Sequence, residues 1–134
     1  LLEACDMLME EGLENVFARH ERHAEATRRA VRSWGFEIQC SEPKEYSPVL
    51  TGVIMPTGHD ADALRSVILE KYNMSLGAGL GKIKGKVFRI GHLGDFNDLM
   101  LMGTLSGVEM GLTSAGVPHD KGGAQAALDF LAGN

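Results

Sequence analysis

Residues 75–95 read SLGAGLGKIKGKVFRIGHLGD, and this stretch decides how the rest of the chain is interpreted. Its glycine-rich part leads into a short apolar run, Val87-Phe88-Arg89-Ile90, whose alternation predicts a β-strand. On a strand, Val87 and Arg89 lie on one face, and Phe88 and Ile90 lie on the other. Arg89 is the only charged residue of the run, and a guanidinium matches a carboxylate or a phosphate through two parallel hydrogen bonds. The stretch therefore predicts an arginine that is available to bind a planar anion.

The glycines of this stretch do not have the spacing of a nucleotide-binding loop. A phosphate loop needs a glycine five positions before its Gly-Lys pair, where this chain has Leu76 or Leu80. The GxGxxG pattern fails as well, because Lys82 stands three residues after Gly79. A strand follows the glycines, whereas a phosphate site needs the N-terminus of a helix. Two interpretations stay open: a connection whose glycines permit tight turns, or a mobile segment beside an active site.

Length and composition predict one ordinary globular domain or a large piece of one. The chain has 134 residues, 44% of them hydrophobic and 23% charged, and a net charge of −5. The three lysines between residues 82 and 86 are the best basic patch, which is too small to predict nucleic-acid binding. No apolar run is long enough to predict a membrane span, and no secretory signal is present. Cys5 and Cys40 lack metal-binding spacing, so we expect two free thiols in the cytoplasm.

Hydrophobic periodicity predicts five helices and three strands. The helices are expected at residues 1–11, 13–34, 60–73, 96–112 and 125–131, and the strands at residues 36–40, 49–55 and 87–90. Asp60 and Asp95 are the expected N-caps of the third and fourth helices. This order of elements predicts an α+β fold with a small sheet and with helices packed mainly on one face.

The predicted helix at residues 96–112 has glycines at every fourth position, namely Gly103, Gly107 and Gly111. A glycine inside a helix costs ~1 kcal/mol relative to alanine, so this stripe needs a packing reason. We expect another backbone to approach the helix along it. A transmembrane dimer motif is excluded because Glu109 lies in the same short segment.

The histidines predict neither a metal site nor a catalytic set. His20 and His23 are one residue too close for the HExxH zinc spacing, and the other three histidines lie near turns. His92 is the one to follow, because it comes three residues after Arg89. Arg89 itself has a structural alternative, in which it pairs with a carboxylate of Asp95, Asp98 or Glu109.

Two segments, KVFRIGHLGD and the FNDLMLMGTLSGVEMGL that follows, resemble the C-terminal domain of class V, pyridoxal-phosphate-dependent aminotransferases. Within that family the chain looks most like the serine–glyoxylate and alanine–glyoxylate aminotransferases. The resemblance extends from EEGLENVFARH near the start to GVPHDKGG near the end. It implies a mainly antiparallel sheet in an α+β small domain, and it implies that Arg89 binds the α-carboxylate of the substrate.

The same resemblance implies how the chain is organised and what it binds. Residues 1–12 are expected to be a helix leading from a large domain, which carries the cofactor lysine, and residues 13–134 the small domain. The full-length enzyme would be a cytoplasmic homodimer that uses pyridoxal phosphate, an amino acid and a 2-oxo acid. The fragment alone is expected to bind no cofactor and to be inactive. Two alternatives stay open: a stand-alone small-molecule-binding domain that uses Arg89, or a dimerisation module.

Overall fold

The computed structural model describes residues 1–133, and it has the predicted α+β fold. In chain order the elements are α1 (Leu2–Glu11), α2 (Leu13–Ser33), β1 (Leu50–Ile54), α3 (Ala61–Tyr72), β2 (Gly77–Ala78), β3 (Val87–Gly91), α4 (Asp98–Ser114) and α5 (Gly123–Leu131). The three strands form one antiparallel sheet in the order β1-β3-β2, so the Arg89 strand is the central one.

The two faces of the sheet differ in what covers them. Thr51 pairs with Ile90 and Val53 pairs with Phe88, and these four side chains are buried on one face. The helices supply the rest of this core, including Trp34 of the segment after α2, which is 1% exposed. Burial of this apolar surface is the main force that holds the helices on the sheet. Since strand side chains alternate, Arg89 lies on the opposite, outer face.

The predicted strand at residues 36–40 is wrong. Only an isolated antiparallel bridge joins Ile38 to Val53, although Gln39 N donates to Gly52 O at 2.9 Å and Ile54 N donates to Glu37 O at 3.0 Å. The chain then leaves the sheet through the polar, proline-containing loop 41–48. The apolar alternation of five residues therefore places this segment beside β1, but the loop ends the pairing before a full strand forms.

Of the two predicted N-caps, Asp60 is confirmed and Asp95 is wrong. Asp60 Oδ1 accepts hydrogen bonds from Asp62 N at 2.7 Å and from Ala63 N at 2.9 Å. The cap of α4 is instead Asn97, whose side chain accepts from Met100 N at 2.9 Å. An asparagine caps a helix as well as an aspartate does, so the sequence alone did not separate these positions.

The glycine stripe of α4 is approached by side chains, so the expected backbone contact is wrong. A Cβ on Gly111 would lie 2.2 Å from Ile68 Cγ1, and one on Gly107 would lie 2.9 Å from Met74 Cε. A Cβ on Gly103 would meet nothing within 4 Å. Two of the three glycines therefore admit side chains from α3 and the segment after it, whereas Gly103 has no packing role among residues 1–133.

Helix α1 is the least buried helix. None of its residues is buried, and Leu2 and Met9 are 76% and 71% exposed. It is tied to α2 by the ion pair between Arg19 Nε and Glu11 Oε1, at 2.7 Å. Within residues 1–133 no helix is both long and apolar enough to cross a membrane.

Candidate functional site

Arg89 lies in the middle of the central strand and is flanked by glycine on both sides. Its partner on β1 is Gly52, and its partner on β2 is Gly77. Side chains of residues that lie directly opposite each other on adjacent strands contact one another on the same face of the sheet. The two glycines remove this crowding, so the half-buried Arg89 side chain can lie low across the outer face of the sheet.

The Arg89 side chain lies towards β2. Its Nε donates a hydrogen bond to Ala78 O at 2.8 Å. A Cβ on Gly77 would lie 3.0 Å from Arg89 Cβ and 3.2 Å from Arg89 Nε, so the arginine occupies the space that a side chain at position 77 would need. Among residues 1–133 no carboxylate forms a salt bridge with Arg89. The two Nη atoms therefore stay available for a ligand.

The carboxylates that could have made Arg89 structural are engaged elsewhere or are exposed. Asp98 binds Arg22 through both of its oxygens, at 2.5 and 2.8 Å, and also lies 2.9 Å from His23 Nε2. Glu109 accepts from Trp34 Nε1 and from two backbone amides of the segment that begins α5. Asp95 is exposed, and the described residues include no hydrogen bond or salt bridge between it and Arg89. The proposed structural pairing of Arg89 is thus not formed.

A small cleft of about 140 Å³ lies beside Arg89. Its lining includes Arg28, Gln39, Tyr46, Thr51, Gly52 and Arg89. The cleft is smaller than the roughly 300–1,000 Å³ of pockets that enclose a whole small molecule, so it suits the polar end of a ligand.

Arg28 and Tyr46 line this cleft, although the sequence pattern did not indicate either of them. Arg28 falls among the charged residues that the helical pattern assigns to a solvent-exposed face, yet it is only 8% exposed. Its Nε donates to Glu25 at 3.1 Å, and its guanidinium carbon lies 5.1 Å from the ring centroid of Tyr46. Arg32 stacks on the same ring at 5.9 Å, so two arginines of α2 hold the loop that forms the rim of the cleft. The only signal in the sequence was one aromatic residue in a polar loop.

His92 is a buried structural residue and does not belong to the cleft. It is 0% exposed, its Nε2 lies 3.0 Å from Thr51 Oγ1, and its Nδ1 lies 3.1 Å from Pro48 O. A carbonyl only accepts, so Nδ1 carries the proton, and Thr51 donates to Nε2. Burial lowers the pKa of His92 to about 4, although the hydrogen bond to Pro48 opposes the shift. His92 is therefore neutral near pH 7, and its ring fastens the end of loop 41–48 to β1.

The other histidines do not assemble a metal site. His20 Nδ1 donates to Val16 O at 2.7 Å, and its Nε2 accepts from Gly94 N at 3.1 Å, whereas His23 lies against Asp98. No group of three potential metal ligands occurs within residues 1–133. Cys5 and Cys40 are unpaired, as expected.

A larger, mostly apolar groove of about 880 Å³ runs between α1, α2 and the segment after β3. Its walls include Leu8, Phe17, His20 and Leu93. Its histidine, His20, is fully hydrogen-bonded, and Arg19 pairs with Glu11, so the groove offers no free cationic side chain for a substrate carboxylate. The Arg89 cleft is thus the better candidate for a functional site.

Known proteins resemble the chain in both sequence and structure. No family model matches the chain. The chain is 45% identical over its whole length to serine–glyoxylate aminotransferase of Methylorubrum extorquens, covering 34% of that protein. It is 47% identical over 96% of its length to the Arabidopsis thaliana enzyme of the same name, covering 32% of it. L-aspartate–glyoxylate aminotransferase of Paracoccus denitrificans is 43% identical over 92% of the chain, which covers 31% of that enzyme.

Solved structures agree with these relatives. Pyridoxamine–pyruvate aminotransferase from Mesorhizobium loti matches 95% of the chain with a TM-score of 0.88 and 32% identity, and the match covers 33% of that structure. Ureidoglycine–glyoxylate aminotransferase from Bacillus subtilis matches 95% of the chain with a TM-score of 0.87 and 29% identity, again over 33% of its own length. The chain thus spans about a third of the length of these relatives. It belongs to the class V, pyridoxal-phosphate-dependent aminotransferases and corresponds to their C-terminal part.

Proposed function

We propose that this chain is the substrate-binding C-terminal domain of an aminotransferase that transfers an amino group from serine or alanine to glyoxylate. The names of the relatives support an amino acid and glyoxylate as substrates. One observation carries the role of the domain: Arg89 has its Nε bound to Ala78 O and both Nη atoms free beside a small cleft.

A single arginine can serve both halves of this reaction. Transamination exchanges an amino group for an oxo group and leaves the neighbouring carboxylate unchanged. Arg89 therefore binds the carboxylate of the amino acid and that of the 2-oxo acid in the same way. The charge-assisted pair orients the reacting carbon, which is the contribution that a substrate-binding domain makes to rate. Arg28 adds a second positive charge at the cleft, partly neutralised by Glu25.

Pyridoxal phosphate supplies the electron sink that transamination requires, and a lysine carries it in enzymes of this kind. The residues of the Arg89 cleft do not fit that role. All six lysines of the chain are exposed, and none lines the cleft. We infer that the cofactor is attached outside residues 1–133 and that the isolated chain is inactive. The purified chain should lack the visible absorption of bound cofactor, and borohydride labelling of one of its lysines would contradict this.

Residues 1–12 fit the role of a helix that leads from a larger domain, with residues 13–134 as the small domain. This proposal rests on α1, which exposes Leu2 and Met9 and buries no residue of its own. Its amides should exchange fast in the isolated chain and slowly in the full-length enzyme.

We further propose that the full-length enzyme is a cytoplasmic homodimer. Cell fractionation and sedimentation of the full-length enzyme test this, and a monomer would contradict it.

The role of Arg89 is tested by substituting it in the full-length enzyme. Arg89→Ala removes a charge-assisted hydrogen-bond pair worth ~1.5–3 kcal/mol, so KM for the amino acid and for the 2-oxo acid should each rise roughly ten- to hundredfold. Arg89→Lys should recover only part of this, because an ammonium lacks the planar fork. Cofactor absorption should stay near normal in both variants.

Arg29→Lys is the matched control, because Arg29 is an exposed arginine of α2 that pairs with Glu25. It should leave KM unchanged. The melting temperature of each variant is measured in the isolated chain as well. An Arg89→Ala chain that loses stability while the full-length variant keeps its KM would refute the carboxylate-binding role.

A further inference from the structure

The direction of the Arg89 side chain is set by strand β2. Arg89 Nε donates a hydrogen bond to Ala78 O at 2.8 Å, and the aliphatic part of the side chain lies over Gly77. A guanidinium can bind a carboxylate side-on, through Nε and one Nη, or end-on, through its two Nη atoms. Since Nε already donates to a backbone carbonyl, only the end-on arrangement keeps all donors satisfied.

The carbonyl that accepts from Arg89 is itself held in place. Arg65 of α3 donates from Nε to Leu76 O at 2.7 Å and from Nη1 to Asp62 at 2.9 Å. Leu76 is buried, and Gly79 N donates to Val87 O at 2.9 Å. A strand of two residues is thus anchored on both sides of Ala78, which gives Arg89 a fixed acceptor.

We propose that Gly77 and the Ala78 carbonyl are positioning groups, which hold the Arg89 guanidinium so that it receives the substrate carboxylate end-on through its two Nη atoms. This inference rests on the proposed function of Arg89. Ala78 fixes the guanidinium through Nε, and Gly77 leaves the space in which the side chain lies.

Gly77 differs from the other glycines that surround Arg89. A Cβ on Gly52 would meet Gln39 and not Arg89, at 3.1 Å from Gln39 Cβ and 3.2 Å from Gln39 Oε1. A Cβ on Gly91, at the end of the same strand as Arg89, would meet nothing within 4 Å. Neither Gly77 nor Gly91 has a positive φ angle, so alanine is compatible with both backbones. Gly77→Ala therefore tests the space beside Arg89, and Gly91→Ala is its matched control.

A double-mutant cycle in the full-length enzyme separates positioning from general damage. In Gly77→Ala the added methyl group crowds Arg89 at Cβ and at Nε, so the guanidinium must shift, and KM for amino acid and 2-oxo acid should rise roughly two- to tenfold. In an Arg89→Ala background the same substitution should change KM no further. Gly91→Ala should leave KM unchanged in either background.

A second readout uses the isolated chain and does not depend on activity. The Nε–H resonance of Arg89, assigned by its loss in Arg89→Lys, should be protected from exchange with water. Gly77→Ala should shift it and expose it, while Gly91→Ala should leave it in place.

The outcomes of these experiments distinguish the proposed function of Arg89 from the positioning role of Gly77 and Ala78. An Arg89→Ala enzyme with normal KM defeats the proposed function. A strong effect of Arg89→Ala together with a neutral Gly77→Ala overturns the positioning role alone. An equal effect of Gly77→Ala in both backgrounds also overturns it, because the substitution then acts without Arg89.

Discussion

Glu109 is expected to be the most costly single carboxylate to remove from this domain. Its Oε2 accepts from Trp34 Nε1 at 3.0 Å and from Ala124 N at 2.9 Å, and its Oε1 accepts from Gly122 N at 2.8 Å. The carboxylate thus joins α4, the end of α2 and the start of α5. It also acts as the N-terminal cap of α5, because the cap residue Gly122 has no side chain of its own.

The loss of stability expected in Glu109→Ala is estimated from the hydrogen-bond donors that the substitution leaves without an acceptor. Trp34 is 1% exposed, and Gly123 closes over its ring, since a Cβ there would lie 2.2 Å from Trp34 Nε1. A buried donor without an acceptor costs ~1–3 kcal/mol, and a lost helix cap costs about 1 kcal/mol more. We therefore expect a loss of roughly 2–4 kcal/mol, which corresponds to a fall of about 7–14 °C in Tm for a domain of this size.

The assay is urea and thermal unfolding of the chain, followed by circular dichroism and by the fluorescence of its single tryptophan. Glu109→Gln keeps one acceptor oxygen and should lie between the wild type and the alanine variant. The pKa of Glu109 lies below its ordinary 4.5. Burial alone would raise this pKa, but the hydrogen bonds from Ala124, Gly122 and Trp34 lower it by more. The ionised Glu109 therefore contributes fully to the free energy of unfolding above pH 4.5, and this stabilisation is lost as the pH falls through the pKa of the folded state. The pH dependence should vanish in Glu109→Gln. A Tm change below about 3 °C in Glu109→Ala would refute the argument.

Two further predictions test the packing of α4 and the buried histidine. Gly111→Ala should lower the free energy of unfolding by ~1–3 kcal/mol because the added methyl group collides with Ile68. Gly103→Ala meets no neighbouring atom and should raise the free energy of unfolding by about 0.5–1 kcal/mol. Both changes are measured by denaturant unfolding, and equal effects would contradict the prediction. His92 titrates in the unfolded chain near 6.5 but in the folded chain near 4, so stability should fall as the pH falls from about 6.5 to 4. An NMR titration of the His92 ring with a midpoint near 6.5 would refute its burial.

The features that the sequence predicted well depend on neighbours along the chain. The alternation of residues 87–90 placed Arg89 on the strand face opposite Phe88 and Ile90, and Asp60 was recognised as a cap because the amides that donate to it are two and three residues away. The resemblance of KVFRIGHLGD to the aminotransferases gave the family, which the relatives confirmed. Local periodicity and short-range hydrogen bonds can be predicted from sequence because they involve only residues that are close along the chain.

The tertiary structure decided which distant groups meet. No carboxylate within residues 1–133 pairs with Arg89, whereas Asp98 pairs with Arg22 and Glu109 binds Trp34, contacts that join residues about 75 positions apart. Arg28 lines the cleft because loop 41–48 folds back over α2, which its charge pattern did not indicate. A charged residue has the same local pattern whether it faces solvent or a binding cleft. Its partners are chosen by the packing of helices and strands, and that packing is a property of the whole chain.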